Sequence, residues 1–186
     1  MPAAERVLTL HGGAFAALHQ RLVGVEIDFA SLEPSRIPAS RLQQARAAWQ
    51  ERVQSEYRSL QTMTRLLGDA LAAGDPLDAY AGLVAMIGDE LRHVTLCAAV
   101  VRALGAEPGL PDPLEVHQPH AFLVMAPAQR ALALAISMLV VAETLSVGYL
   151  ADLQARCRQP ALAAVLRATL GDESEHDAFG VEYVRR

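Results

Sequence analysis

The chain has 186 residues, 52% of them apolar and 20% charged, with a formal net charge of −5. That suffices for one domain with a sizeable core, and an acidic balance without a basic run argues against nucleic acid or an anionic membrane as partner. The two cysteines, Cys97 and Cys157, make no disulfide framework and fit reduced thiols in a cytoplasm.

The opening MPAAERVLTLHGG has neither a basic nor a long apolar segment, so it does not read as a signal peptide. Residues 1–37 are expected to form an N-terminal extension packed on the rest, with VLTL extended and AFAALHQRLVG a short helix. Residues 38–186 form the main domain. Pro38 opens a first helix that Gly74 ends. Ala45, Trp49, Val53, Glu56, Leu60 and Met63 follow the three-and-four spacing of one helical face.

Asp75-Pro76 predicts the N-cap and first turn of a second helix, which Gly105 stops. Met86, Glu90, His93, Cys97 and Val100 or Val101 share its inner face. Five prolines, Pro108, Pro111, Pro113, Pro119 and Pro127, rule out a long helix over the next stretch. A connection of about twenty residues is long for a compact domain. It suits a crossover that travels the length of a helix.

The third helix is expected from Pro127 to Cys157. Its apolar run Ala131–Val141 is shorter than the roughly 18–20 residues of a membrane span, so it reads as a core helix. Pro160 opens the fourth helix, which continues close to Arg186. Short links make helices one and two, and three and four, antiparallel neighbours. The expected fold class is all-α, two antiparallel hairpins joined by a long crossover, with no strand in residues 38–186.

Polar residues interrupt each apolar face. GDELRH at Gly88 recurs as GDESEH at Gly171. In chain order the inner faces carry Glu56, then Glu90 and His93, then Glu143 in VVAETLSV, then Glu173 and His176. Four carboxylates meeting in an apolar core cannot stay unpaired, because desolvation and repulsion oppose their ionisation. Two divalent cations remove that conflict. Each Glu-x-x-His sets a carboxylate and an imidazole on one face, one turn apart. The other two glutamates can cap or bridge. Oxygen-rich ligation with one imidazole per ion suits iron or manganese better than structural zinc.

Over roughly residues 38–186 this order of six side chains resembles the ferritin-like di-metal carboxylate proteins. The resemblance implies a ferritin-like four-helix bundle holding two Fe ions, or Mn/Fe, per chain. It also implies that Asp89 orients His176 and Asp172 orients His93, each from the opposite half. The alternative is that both are solvated surface acids. Arg92 and Glu175 read as surface charges, with Arg92 able to pair with Asp89 or Asp172.

Rubrerythrin-like peroxidases carry a further glutamate one turn along the third helix, where this chain has Ser146 and Val147. Arylamine N-oxygenases carry a histidine where this chain has Thr169. Typical ferritins have one Glu-x-x-His and bacterioferritins two. The expected function is a non-haem di-iron oxidoreductase that activates O2 on an unidentified small-molecule substrate, from an unidentified electron donor. A homodimer is compatible with it. The alternative is a ferroxidase or iron-handling protein. Met86, Cys97, Ser146 and Thr169 are candidate cavity-lining residues. Trp49, Tyr57 and Cys97 read first as packing, Glu51 as solvated, and the HQPH at His117 as surface.

Overall fold

The computed structural model describes residues 5–24, 26–111 and 117–185. They are nearly all helical. Strand β1 (Glu5–Val7) and helix α1 (Gly13–Val23) precede two long helices, α2 (Ala39–Ala73) and α3 (Leu77–Ala103). Strand β2 (Gly109–Pro111) and the short α4 (His120–Leu123) follow. A continuous rod then comprises α5 (Pro127–Leu134), a π-helical segment (Ala135–Ala142) and α6 (Glu143–Arg156). Helix α7 (Pro160–Arg185) completes the fold.

Gly74 ends α2 with φ 78°, left-handed geometry that glycine adopts without a Cβ penalty. Asp75 does not cap α3 as expected. The N-cap is Pro76, in extended conformation, and Asp75 instead accepts a 2.5 Å hydrogen bond from the Tyr183 hydroxyl. Tyr183 is buried and its hydroxyl needs an acceptor. A strand also appears where none was expected. β2 pairs antiparallel with β1, Val7 opposite Gly109. Three residues are too few for an alternating pattern, and the partner lies about a hundred positions away. Residues 112–116 of the crossover, Pro113 among them, lie outside the described residues.

Helix α2 packs along α3 and against α5, while α7 packs on α6, the π segment and α3. The buried apolar side chains form two clusters. One gathers Trp49, Val53, Leu96, Val100, Leu150 and Val165, and Ile27, Phe29 and Ile37 of the N-terminal extension pack onto it. The other gathers Met63, Leu83, Met86, Leu134, Leu139 and Tyr183. Every long helix contributes to both. The gap between them on each helix holds Glu56, then Glu90 and His93, then Glu143, then Glu173 and His176, all buried. A polar layer divides the core.

The rod Pro127–Arg156 is less buried than a core helix should be. Its most apolar stretch has mean hydropathy 2.0, yet only 28% of it is buried. Counted as one rod, it is long and apolar enough to cross a membrane, which the shorter run Ala131–Val141 did not suggest. Leu132, Ile136, Val141, Leu145 and Tyr149 face outward, while Leu134, Leu139, Glu143 and Leu150 face inward.

Gly180 sets how closely α7 meets the π segment. A Cβ there would lie 2.4 Å from Leu139 Cβ and 2.8 Å from the Leu139 carbonyl oxygen. Gly180→Ala is expected to destabilise the protein by about 1–3 kcal/mol, because it must push backbone away from backbone. Urea unfolding measures this, and an unchanged midpoint would contradict it.

Candidate metal centre

Glu90 and His93 lie one turn apart on α3, and Glu173 and His176 one turn apart on α7. Glu56 reaches the layer from α2. Glu143 reaches it from the first residue of α6, directly after the π segment. A π-helical stretch spends more residues per turn than an α-helix. It therefore rotates the rest of the rod relative to what simple periodicity predicts.

The six side chains converge. His93 Nδ1 lies 3.8 Å from Glu56 Oε2, 3.9 Å from Glu90 Oε2 and 3.7 Å from Glu173 Oε1. His176 Nδ1 lies 3.6 Å from Glu90 Oε1, 3.8 Å from Glu143 Oε1 and 3.2 Å from Glu173 Oε2. Among the described residues, two groups could each hold a metal ion: Glu56, Glu90 and His93, and Glu90, Glu143, Glu173 and His176. Glu90 belongs to both, and Glu173 faces both histidines. The carboxylates of the two Glu-x-x-His pairs therefore sit centrally, with Glu56 and Glu143 outside them.

The histidines are held from behind. Asp172 Oδ2 is 2.9 Å from His93 Nε2, and Asp89 Oδ2 is 3.4 Å from His176 Nε2. Each Asp thus faces the histidine of the other half. A proton on Nε2 satisfies the carboxylate and leaves Nδ1 as a lone pair aimed at the cluster. The glycines of the repeated hexapeptide have no such role. A Cβ at Gly88 or Gly171 would meet nothing within 4 Å.

The electrostatics are those of a crowded acidic site. Burial, then Glu56, Glu173 and Glu143, push Glu90 well above the carboxylate range. Burial raises Glu56, against the pull of Arg52. Burial, together with neighbouring Glu173, pushes Glu143 up to about 8. Glu173 goes the other way, down to about 2, because His176, Glu143 and His93 outweigh its burial. Burial alone would lower His176, but Glu143, Glu173 and Glu90 push it up to about 11. In Asp172, the hydrogen bonds from His93 and Arg92 overcome burial and lower the pKa.

Arg52 is a residue that sequence reasoning missed. Its Nη2 is 2.7 Å from Glu56 Oε1, and its guanidinium lies 5.8 Å from the Trp49 ring centroid. The i,i+4 spacing to Glu56 was the available signal. Arg92 is no free surface charge: it pairs with both Asp89 and Asp172. Glu175 and Glu51 are exposed as expected, as are His117 and His120.

A groove of about 860 Å³ opens between α2 and the α6 rod. Glu56, Glu143 and Glu173 line it, with Trp49, Met138 and Leu166 among its apolar residues. Of the four candidate cavity residues only Ser146 lines it, with Oγ 3.5 Å from Glu173 Oε1. Met86, Cys97 and Thr169 are packed in the core instead. Thr169 spends its hydroxyl on the Val165 carbonyl at 3.2 Å. Burial, then Glu56, pushes the Cys97 thiol up to about 12, which keeps it neutral.

Comparison with protein-family models, curated proteins and solved structures finds no match for this chain.

Proposed function

We propose that this chain is a ferritin-like four-helix bundle whose buried Glu/His layer holds two iron ions, or a manganese and an iron, and that it oxidises an organic substrate with O2. One observation carries the metal reading. Glu90 Oε1 and Oε2, His93 Nδ1, Glu143 Oε1, Glu173 Oε2 and His176 Nδ1 are all buried without a hydrogen-bond partner. Buried polar atoms are almost always satisfied. Here the orphaned atoms are carboxyl oxygens and imidazole nitrogens gathered at common centres, which once deprotonated are the donor set of a divalent cation. Glu56, Glu90 and His93 would hold one ion, and Glu90, Glu143, Glu173 and His176 the other.

Two such ions supply Lewis acidity and redox capacity for dioxygen chemistry. The protein's share is legible in its own side chains. Asp89 and Asp172 fix the histidine rings. The two apolar clusters keep bulk water from the layer on both sides. Arg52 holds Glu56 at the groove edge and partly offsets its charge. The groove supports an oxidoreductase over iron storage, because its volume falls in the range of pockets for small organic ligands. It reaches three of the four cluster carboxylates.

Metal analysis tests the site. Protein loaded anaerobically with Fe2+ and desalted should retain about two ions per chain, and retention of none would remove the centre. Size-exclusion chromatography separates the two iron chemistries: a monomer or dimer fits the oxidoreductase, and a many-subunit shell would favour iron handling instead.

A further inference from the structure

Behind the histidines lies a contact that only one copy of the repeated hexapeptide provides. Position 92 is Arg, and the equivalent position 175 is Glu. Arg92 Nη2 lies 2.6 Å from Asp89 Oδ1 and 2.6 Å from Asp172 Oδ2, and Nε donates to Asp172 Oδ2 at 3.2 Å. The same Asp172 oxygen faces His93 Nε2 at 2.9 Å, and the other Asp89 oxygen faces His176 Nε2 at 3.4 Å. One guanidinium therefore stands behind both histidines, spanning α3 and α7.

We propose that Arg92 is a positioning residue for the whole centre, holding Asp89 and Asp172 so that each aims its partner histidine's Nδ1 at a metal. This rests on the metal reading above. Without Arg92, two carboxylates from adjacent helices face each other with like charge. Each is about one-fifth exposed, Asp89 24% and Asp172 20%, so each can turn toward water instead of its imidazole. The clamp is uneven. Asp172 Oδ2 lies close to two guanidinium nitrogens, Nε and Nη2, and Asp89 Oδ1 to Nη2 alone, and the Asp172–His93 contact is the shorter. The His93 half is held more firmly than the His176 half, so the two metal positions differ although the motif repeats.

Co2+ titration under anaerobic conditions tests this, with its visible absorption bands reporting ligand geometry. Arg92→Gln should weaken Co2+ binding about 10–100-fold, the usual cost of losing an outer hydrogen-bond partner, and should change the bands. Arg92→Lys keeps the charge but loses the fork, so its affinity should fall between those of Arg92→Gln and the wild type. Because Arg92 acts through the Asp residues, its loss and that of Asp172→Asn should be non-additive in the double variant. A purely structural role would give additive losses with unchanged bands, which would overturn the proposal. So would an Arg92→Gln or Arg92→Lys variant indistinguishable from wild type. If Arg92→Gln does not fold, the cycle is run with Arg92→Lys and judged the same way. Wild-type protein that binds no Co2+ overturns the metal reading and this proposal with it. Wild-type protein that binds two ions, beside an unchanged Arg92→Gln, overturns this proposal alone.

Discussion

Glu90→Gln is expected to abolish binding of both metal ions and, at the same time, to stabilise the metal-free protein. Glu90 is 1% exposed and belongs to both groups able to hold an ion. Its two oxygens face opposite ways, one toward His93 and one toward His176. Neither has a hydrogen-bond partner in the protein. Glutamine has the same shape but offers one weak neutral donor oxygen instead of two anionic ones. Each of the two candidate sites would lose the one ligand that they share. In the metal-free protein the same change removes an acid that burial and three other glutamates oppose, and it supplies an amide that donates to them. Removing the cost of keeping this carboxyl protonated in the fold stabilises by about 1–3 kcal/mol. Metal content and urea unfolding of the chelator-treated protein measure the two effects. A variant that keeps two ions would remove Glu90 from the centre.

The second large effect is a pH dependence that reverses with metal. Glu143 is raised from 4.5 to about 8 in the folded protein, and His176 from 6.5 to about 11. A group whose pKa is raised by folding contributes stability that is complete below its unfolded value and is lost as pH rises through the folded one. Both groups therefore work in the same direction. Glu173, lowered to about 2, acts oppositely, but its contribution is lost only as pH falls below 4.5. Between about pH 5 and about pH 9 the metal-free protein should lose stability steadily, of order 10 °C in Tm. Metal binding needs these same groups deprotonated, so metal affinity should rise over that range. Calorimetry with excess Mn2+ and with a chelator compares the two forms. A metal-free Tm that climbs from pH 5 to pH 9 would contradict the assignment of these protons.

Much of the architecture was legible because helix boundaries are written in local chemistry. Pro38, Gly74, Gly105, Pro127 and Pro160 each mark an end through the backbone angles they permit or forbid. Observed boundaries such as Ala39–Ala73 and Pro160–Arg185 fall within a residue or two of those marks. The six layer residues were legible for a related reason. Each is an ionisable side chain on an otherwise apolar helical face, a conflict visible without coordinates. Met86, Cys97 and Thr169 failed as cavity residues because shared helical phase with Glu90, His93 or Glu173 says that a side chain is inward. It does not say whether inward means packed or open.

What the sequence determined by itself is therefore a set of helices and the inner face of each, since both depend on neighbours one to four positions away. The tertiary structure alone decided how those faces meet. It set Glu90 and Glu173 at the middle of the layer, placed one Arg92 behind both histidines, and left the groove open between α2 and α6. The physical reason is that these outcomes depend on how far apart the helices lie and how they are rotated. Those quantities come from contacts remote in sequence, such as Gly180 against Leu139, and from the π segment that turns Glu143 into the layer.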